Sequence, residues 1–396
     1  MNDNILLVTK DATVKEYLPI YGNQYWKGKT PNIDELAAQG TVFDKYYTAA
    51  PSTVMAFRSM MYGKWPHETP YADYIPMDVE ESESDFFNVA KSLGYEGHLI
   101  WDETWVRMVL RYGNCFGSNC QIHNVVGLNQ PVGPHTNHKE FLKDDDELLK
   151  KTINTLETTV REIVETGKKI VMWIHLPHVI SGRTGYGGDI DAFDMCIGML
   201  RKYFDDKHIY ISADHGNMDG YHGRYSYGFD VYTPAIEIPL ITPRIDNLER
   251  CTFNVSNVDI KRIIFEGLIP QRDVIYSDCA YYAQPHRKIA ILKSDFAYIY
   301  NKTGRSEELY DLIYDRFERC NMIKDTFFDK DRKLTTVTRE VYFTPRWSEA
   351  EIMREQMRDE FRKIWKTASI PREIRGRVLA RAKIVFVVLR KLILGR

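Results

Sequence analysis

Ile209-Tyr210-Ile211-Ser212-Ala213-Asp214-His215-Gly216 (residues 209–216) reads as a short buried strand that stops on a carboxylate and an imidazole. Side by side at a strand end, both groups can turn toward one cation, and the glycine lets the backbone bend close to it. Taken alone, the triplet reads equally well as a plain turn. Outward from it the same texture recurs. Strand-like runs at 4–9, 97–101, 170–176, 208–213 and 236–242 are interleaved with helical spacing at 31–40, 84–93, 145–167 and 190–205. That alternation predicts an α/β fold, a mostly parallel central sheet with helices on both faces. Sheets of this kind do their chemistry in loops beyond the carboxyl ends of their strands. Asp11 follows the first run, and His175 and His178 follow the run that begins at Ile170. A helix N-cap is the plain reading of Asp11, and Thr53 could likewise cap a helix through Phe57 and Met61.

From about 286 the texture changes. Lys288–Leu292 and Phe296–Tyr300 read as a short antiparallel pair, and Glu307–Leu312 as a further extended or turn segment. Residues 348–366 have helical spacing, with Met353, Met357, Phe361, Ile364 and Trp365 on one face. The chain thus divides into a catalytic domain over 1–285, a small antiparallel subdomain over 286–345 and a helical tail over 346–396, basic and amphipathic from 372. The stretch 112–138, with His123, His135 and His138, reads as a long Gly/Asn/His-rich loop and a candidate lid.

Several blocks, in order, resemble the alkaline phosphatase/sulfatase superfamily. They are Ile5–Gly22, Thr30–Gly40, Ala50–Gly63 (APSTVMAFRSMMYG), Ala213–Leu240 (ADHGNMDGYHGRYSYGFDVYTPAIEIPL) and Glu308–Leu312 with Asn321. The resemblance implies that Asp11, Asp214 and His215 ligate one divalent cation (Mn, Zn, Mg or Ca) together with Thr53, which would be the nucleophile. It offers His178, in a Pro-His pair, and His222, in a Gly-x-His-Gly, as further catalytic groups, with a satisfied loop histidine as the alternative for each. Arg58 and Tyr227 are the candidate substrate contacts, although Arg58 is one place off the family arginine, where Phe57 stands. His175 is expected to face the core or to stand behind the ligands.

Departures from the family narrow the chemistry. The sulfatase signature Cys/Ser-x-Pro-x-Arg, source of a formylglycine nucleophile, is here Thr53-Val54-Met55-Ala56-Phe57. Lys10-Asp11 replaces an acidic pair, and Tyr227 replaces a lysine. A threonine nucleophile resembles the phosphoryl-transferring branches. The expected activity is therefore a metal-dependent phosphotransferase or phosphodiesterase acting through a phosphothreonine. A sulfuric ester hydrolase and a non-catalytic binder of phosphorylated ligands are the alternatives. Transfer to an alcohol of a surface glycan or lipid-linked intermediate is favoured over hydrolysis, with Tyr221, Tyr225, Asn217, Asn129 and Gln130 available to a sugar.

Charge and termini shape the expected partners. The formal charge is −2, and residues 372–396 hold six Arg and two Lys against one Glu, which leaves the body acidic and argues against nucleic acid. The tail's continuous apolar run, Ile384–Leu389, is too short to span a bilayer and is interrupted by Arg390-Lys391, while its apolar stripe (Ile374, Val378, Val385, Leu389, Leu392) suits an in-plane helix on anionic lipid, or a helix packed on the domain or in a dimer. Six scattered cysteines and the absence of a signal-like N-terminus point to a reducing, cytoplasmic setting, peripheral to the inner membrane face.

Overall fold

The computed structural model describes residues 3–25, 27–68, 85–102, 119–125, 145–180, 190–279, 288–301, 306–323, 326–328, 334–336 and 345–367. The basic segment 372–396, with Asn129, Gln130, His135 and His138, lies outside the described residues.

In chain order the strands are β1 (Ile5–Lys10), β2 (Thr41–Phe43), β3 (Tyr46–Tyr47), β4 (Glu96–Asp102), β5 (Cys120–Val125), β6 (Ile170–Leu176), β7 (Ile209–Ala213), β8 (Leu240–Thr242), β9 (Arg250–Cys251), β10 (Val255–Ser256), β11 (Ile275–Asp278), β12 (Lys288–Lys293), β13 (Phe296–Asn301), β14 (Ser306–Asp311), β15 (Thr326–Phe328) and β16 (Leu334–Thr336). The helices are α1 (Pro31–Gln39), α2 (Thr53–Tyr62), α3 (Phe86–Ser92), α4 (Asp146–Val164), α5 (Ile190–Leu200), the single turn α6 (Thr233–Ile236), α7 (Ile260–Glu266) and α8 (Trp347–Thr367).

Among the described residues eight strands make one sheet in the order β5-β4-β6-β1-β7-β8-β2-β9. β5 through β7 run parallel, and β8 is antiparallel to both of its neighbours. The period-two alternation of β1 splits its side chains between two cores. Leu6 and Val8 join Ile174, Ile211 and the inner faces of α1, α4 and α5. Ile5 and Leu7 join Trp173, Trp101 and the faces of α2, α3 and α7. α4 begins where the Asp145 carboxylate caps the Leu148 amide, and it buries Leu149, Ile153, Leu156, Val160 and Ile163 at helical spacing. A second sheet, β11-β12-β13-β14, is antiparallel throughout. Its outer face is covered by α8 through Ala350, Met357 and Ile364, and Arg354 and Arg358 of that helix both pair with Glu307 on β14.

Two expectations are corrected here. The run 236–242 is not one strand, because Ile236 still belongs to α6, which opens on Thr233-Pro234, and the strand begins only at Leu240, after Pro239. The stretch 112–138 is not all loop: Cys120–Val125 forms the edge strand β5 against β4. The antiparallel sheet also recruits Ile275–Asp278, upstream of residue 286.

Candidate active site

Strand register brings the central residues together. β1 lies between β6 and β7, with Thr9 opposite His175 and Ser212, and Lys10 opposite Leu176 and Ala213. The next residues out, Asp11 and Asp214, therefore leave adjacent strand ends, which lie about 4.8 Å apart. Asp214 Oδ1 accepts from the Ala12 amide at 3.2 Å and the His215 amide at 2.8 Å. Its other oxygen, Oδ2, is buried with no hydrogen-bond donor, and so is Asp11 Oδ1. Burial pushes both carboxyls up to about 7, and for Asp11 the Asp214 charge adds to the effect. Gly216 is required where the chain turns away: a Cβ there would lie 2.1 Å from the Pro234 carbonyl oxygen.

Two imidazoles flank the carboxylates. His215 Nδ1 lies 2.8 Å from the Gly216 carbonyl, which can only accept, so Nδ1 carries the proton and Nε2 presents its lone pair. That Nε2 is 3.5 Å from both Asp11 Oδ1 and Asp214 Oδ2, and 3.1 Å from Thr53 Oγ1. His175 points inward from β6 on the other side. Its Nδ1 meets Thr9 Oγ1 at 2.9 Å, and that hydroxyl in turn accepts from Trp173 Nε1. Its Nε2 is 3.9 Å from Asp214 Oδ2. Burial keeps both imidazoles below their ordinary pKa, hence neutral.

Thr53 is the first residue of α2 and is buried. The amides of that first helical turn and the helix dipole favour negative charge beside its hydroxyl. One turn on, Phe57 is sandwiched between Trp101 and Trp173, with centroids 4.6 and 4.5 Å away, and its edge meets His175 at 4.6 Å. Arg58, a further residue on, leaves the helix about 140° around from Thr53 and is buried.

The remaining candidates divide. His178 donates from Nδ1 to the Asp11 carbonyl at 3.4 Å, which brings it to the edge of the group. Burial, with the nearby Lys10 charge, holds it down to about 3, so the ring is neutral. Tyr227 covers His215, with ring centroids 4.6 Å apart. His222 is exposed at φ +52° and stacks at 4.0 Å on Tyr232, whose hydroxyl donates to Glu308 of β14. It lines a cleft of about 650 Å³ with Asp219, Tyr221, Phe317 and Arg319.

A divalent cation fits this donor set. Asp11, His175 and Asp214 each offer an atom within 4.8 Å of the others. Two buried carboxylate oxygens without donors are what a hard cation would satisfy. A His215 ring that donates through Nδ1 to a carbonyl presents its Nε2 lone pair either to a cation or to the Thr53 proton. His175 is the member that sequence reasoning left in the background. Inside the apolar run 170–176 it looks like core, and its link to the centre is the register opposite Thr9.

A sequence model of the family described as Sulfatase matches residues 3–255. No curated protein matches the sequence significantly. Among solved structures, the chain is similar to a candidate sulfatase from Bacteroides thetaiotaomicron VPI-5482, at 15% identity and TM-score 0.65 over 91% of this chain and 92% of that one. It is similar to a 2-O GAG sulfatase at 15% identity and TM-score 0.61, over 94% of each chain. It is also similar to the phosphonate monoester hydrolase of Agrobacterium radiobacter at 15% identity and TM-score 0.60, over 81% of this chain and 91% of that one. At such identity the likeness carries the fold and leaves the substrate open.

Proposed function

Because the chain belongs to the sulfatase family, we propose that it is a metal-dependent enzyme that cleaves phosphoric esters, with Thr53 as the nucleophile. The observation that carries this reading is the Thr53 hydroxyl at a helix N-terminus, 3.1 Å from the unprotonated Nε2 of His215 and beside the two carboxylates. A divalent cation held by Asp11, His175 and Asp214, whose donor atoms converge, would supply Lewis acidity, lowering the hydroxyl pKa and screening charge on the ester, and would leave Nε2 of His215 open to a proton. Thr53 Oγ1 forms the new bond to phosphorus, the ester oxygen leaves with the bonding pair, and the threonine proton passes to His215 Nε2. The first-turn amides of α2 stabilise the charge that grows on the phosphoryl oxygens. A phosphothreonine results, which water or an acceptor alcohol then relieves.

Transfer to an alcohol is the favoured fate, with a glycan or lipid-linked intermediate as acceptor; the cleft beside His222 offers aromatic and charged groups to a sugar. Increasing polyol acceptor should then divert product from hydrolysis, and if no alcohol or native glycan does so, hydrolysis is the reaction. The second reading, sulfuric ester hydrolysis, is favoured by the family match and the two sulfatase-fold neighbours. Against it stands Thr53 in place of a formylglycine precursor. Release of p-nitrophenol from matched phosphate and sulfate esters, using protein reloaded with Mn, Zn, Mg or Ca, decides between them. The phosphoric ester should be cleaved at least about tenfold faster, and a faster sulfate would reverse the assignment.

A further inference from the structure

α6 is only one turn long, yet it meets the chain on both sides of the reacting pair. On one side the Gly216 and Asn217 amides donate to the Ala235 and Pro234 carbonyls at 2.9 and 3.1 Å. Gly216 is also the residue whose carbonyl accepts the His215 Nδ1–H, so the imidazole is hung from α6 through one residue of backbone. On the other side the Ile236 carbonyl accepts from the Thr48 amide at 2.8 Å. The Thr48 hydroxyl donates on to the Ala50 carbonyl at 2.9 Å, in the segment that leads into Thr53. A single turn has little stability of its own, so what holds α6 comes from its neighbours.

The loop after β14 grips α6 at both ends. Glu318, 1% exposed, takes the Thr233 amide at 2.6 Å, a donor that the turn itself cannot satisfy. Arg316, two residues earlier, pairs at 3.0 Å with Glu237, which caps the other end. The loop is itself fixed: Asp315 accepts from the Cys320 amide, and Asn321 from the Leu309 and Ile323 amides. Glu318 stands at φ +54°, a left-handed conformation that persists in such a residue only where the surroundings over-determine it. We propose that Glu318 and Arg316 are positioning residues for ester cleavage: by clamping α6 they fix the 3.1 Å separation of Thr53 Oγ1 and His215 Nε2. This rests on the reading that Thr53 attacks with His215 as its base. Proton transfer over that distance tolerates little displacement, so a loosened α6 slows the chemistry and leaves ester binding as it was. The antiparallel sheet thereby serves the reaction without touching substrate.

The test is kcat and KM for the p-nitrophenyl ester that wild type cleaves, on full-length protein saturated with its most activating metal. E318A, E318Q and R316M are compared with M357A, a destabilised control on the α8 face of the same sheet. E318A should lower kcat at least about tenfold, with KM and bound metal unchanged. E318Q, which keeps an oxygen for the Thr233 amide, should retain wild-type kcat. R316M should lower kcat at least about threefold, and M357A should melt below wild type with kcat intact. Wild-type kcat in E318A or in R316M would overturn the proposal. So would a kcat loss in M357A or in E318Q as large as that in E318A. Should E318A fail to fold, R316M decides: a lowered kcat supports the clamp and a wild-type kcat sinks it. Activity retained in T53A would overturn the nucleophile reading and this inference together. An inactive T53A beside an unaffected E318A would overturn this inference alone.

Discussion

A threonine at a helix start is ordinarily a cap, and what sets Thr53 apart is its partner, the His215 imidazole. Thr53→Ala should therefore lower ester cleavage by about a thousandfold or more while leaving the melting temperature and bound metal unchanged. A variant that keeps most of the activity would show that Thr53 is not the nucleophile. Asp214→Ala should strip the metal as well as the activity, and elemental analysis of that mutant reads the first effect directly. Asp11, Asp214 and His215 could be singled out from the sequence because each stands just past a short apolar run, where a polar group has no reason to be unless the strand has ended. His175 gives no such signal. In the run Ile170–Leu176 it occupies a position that alternation assigns to the Trp173 face, and only pairing with a strand far away in sequence shows that this face leads to the carboxylates.

Elements hold these side chains by packing and by buried polar contacts. Phe57 fills the space between two indoles and braces His175, so Phe57→Ala should cost about 3–5 kcal/mol of stability. Denaturant unfolding measures it, and a loss below about 1 kcal/mol would mean the site collapses freely around the gap. Glu318 does comparable work from the loop after β14: its carboxyl accepts from the Thr233 amide at 2.6 Å and fixes the start of α6. Burial raises it from 4.5 to about 8, with the Glu308 charge adding to the effect. Above 4.5 the unfolded chain ionises this group while the folded protein still holds the proton, so stability falls as pH rises toward about 8. Glu318→Gln should flatten that decline in melting temperature across the window; an unaltered slope would assign it to other groups. At this scale the sequence was legible where apolar runs were long, as in β1 and β6. It was opaque at β5, whose Cys-Gln-Ile-His-Asn-Val pattern carries polar residues on both faces because the strand lies at the sheet edge. The strand expected over 236–242 failed for a local reason, two prolines within six residues.

Across the whole molecule, the C-terminal region is tied to the catalytic sheet by charge as well as by apolar packing. Arg316 pairs with Glu237 and Glu16, and Glu237 also pairs with the buried Lys15. α8 seals the outer face of the antiparallel sheet, and no helix among the described residues is long and apolar enough to cross a membrane. Truncation after Thr367 should therefore leave ester cleavage and the melting temperature intact while abolishing flotation with anionic liposomes, as the basic stripe of 372–396 suggests. Truncation before Trp347 should lower the melting temperature, because it bares Ile289, Ile291 and Tyr298. Loss of stability from the shorter deletion would assign the basic segment to packing. The central position of β1 has one more consequence, in time. The Ala12 amide and the Asp214 carboxylate it binds are 202 residues apart, and Thr53 and His215 are 162 apart. During synthesis the first strand must wait with both edges unpaired until β6 and β7 have left the ribosome, an interval on the order of ten seconds or more. Over that interval Ile5–Val8 is an apolar segment in need of a chaperone's cover. Cation capture then marks a nearly completed chain, and a nascent polypeptide stalled before residue 209 should be unable to retain metal at all.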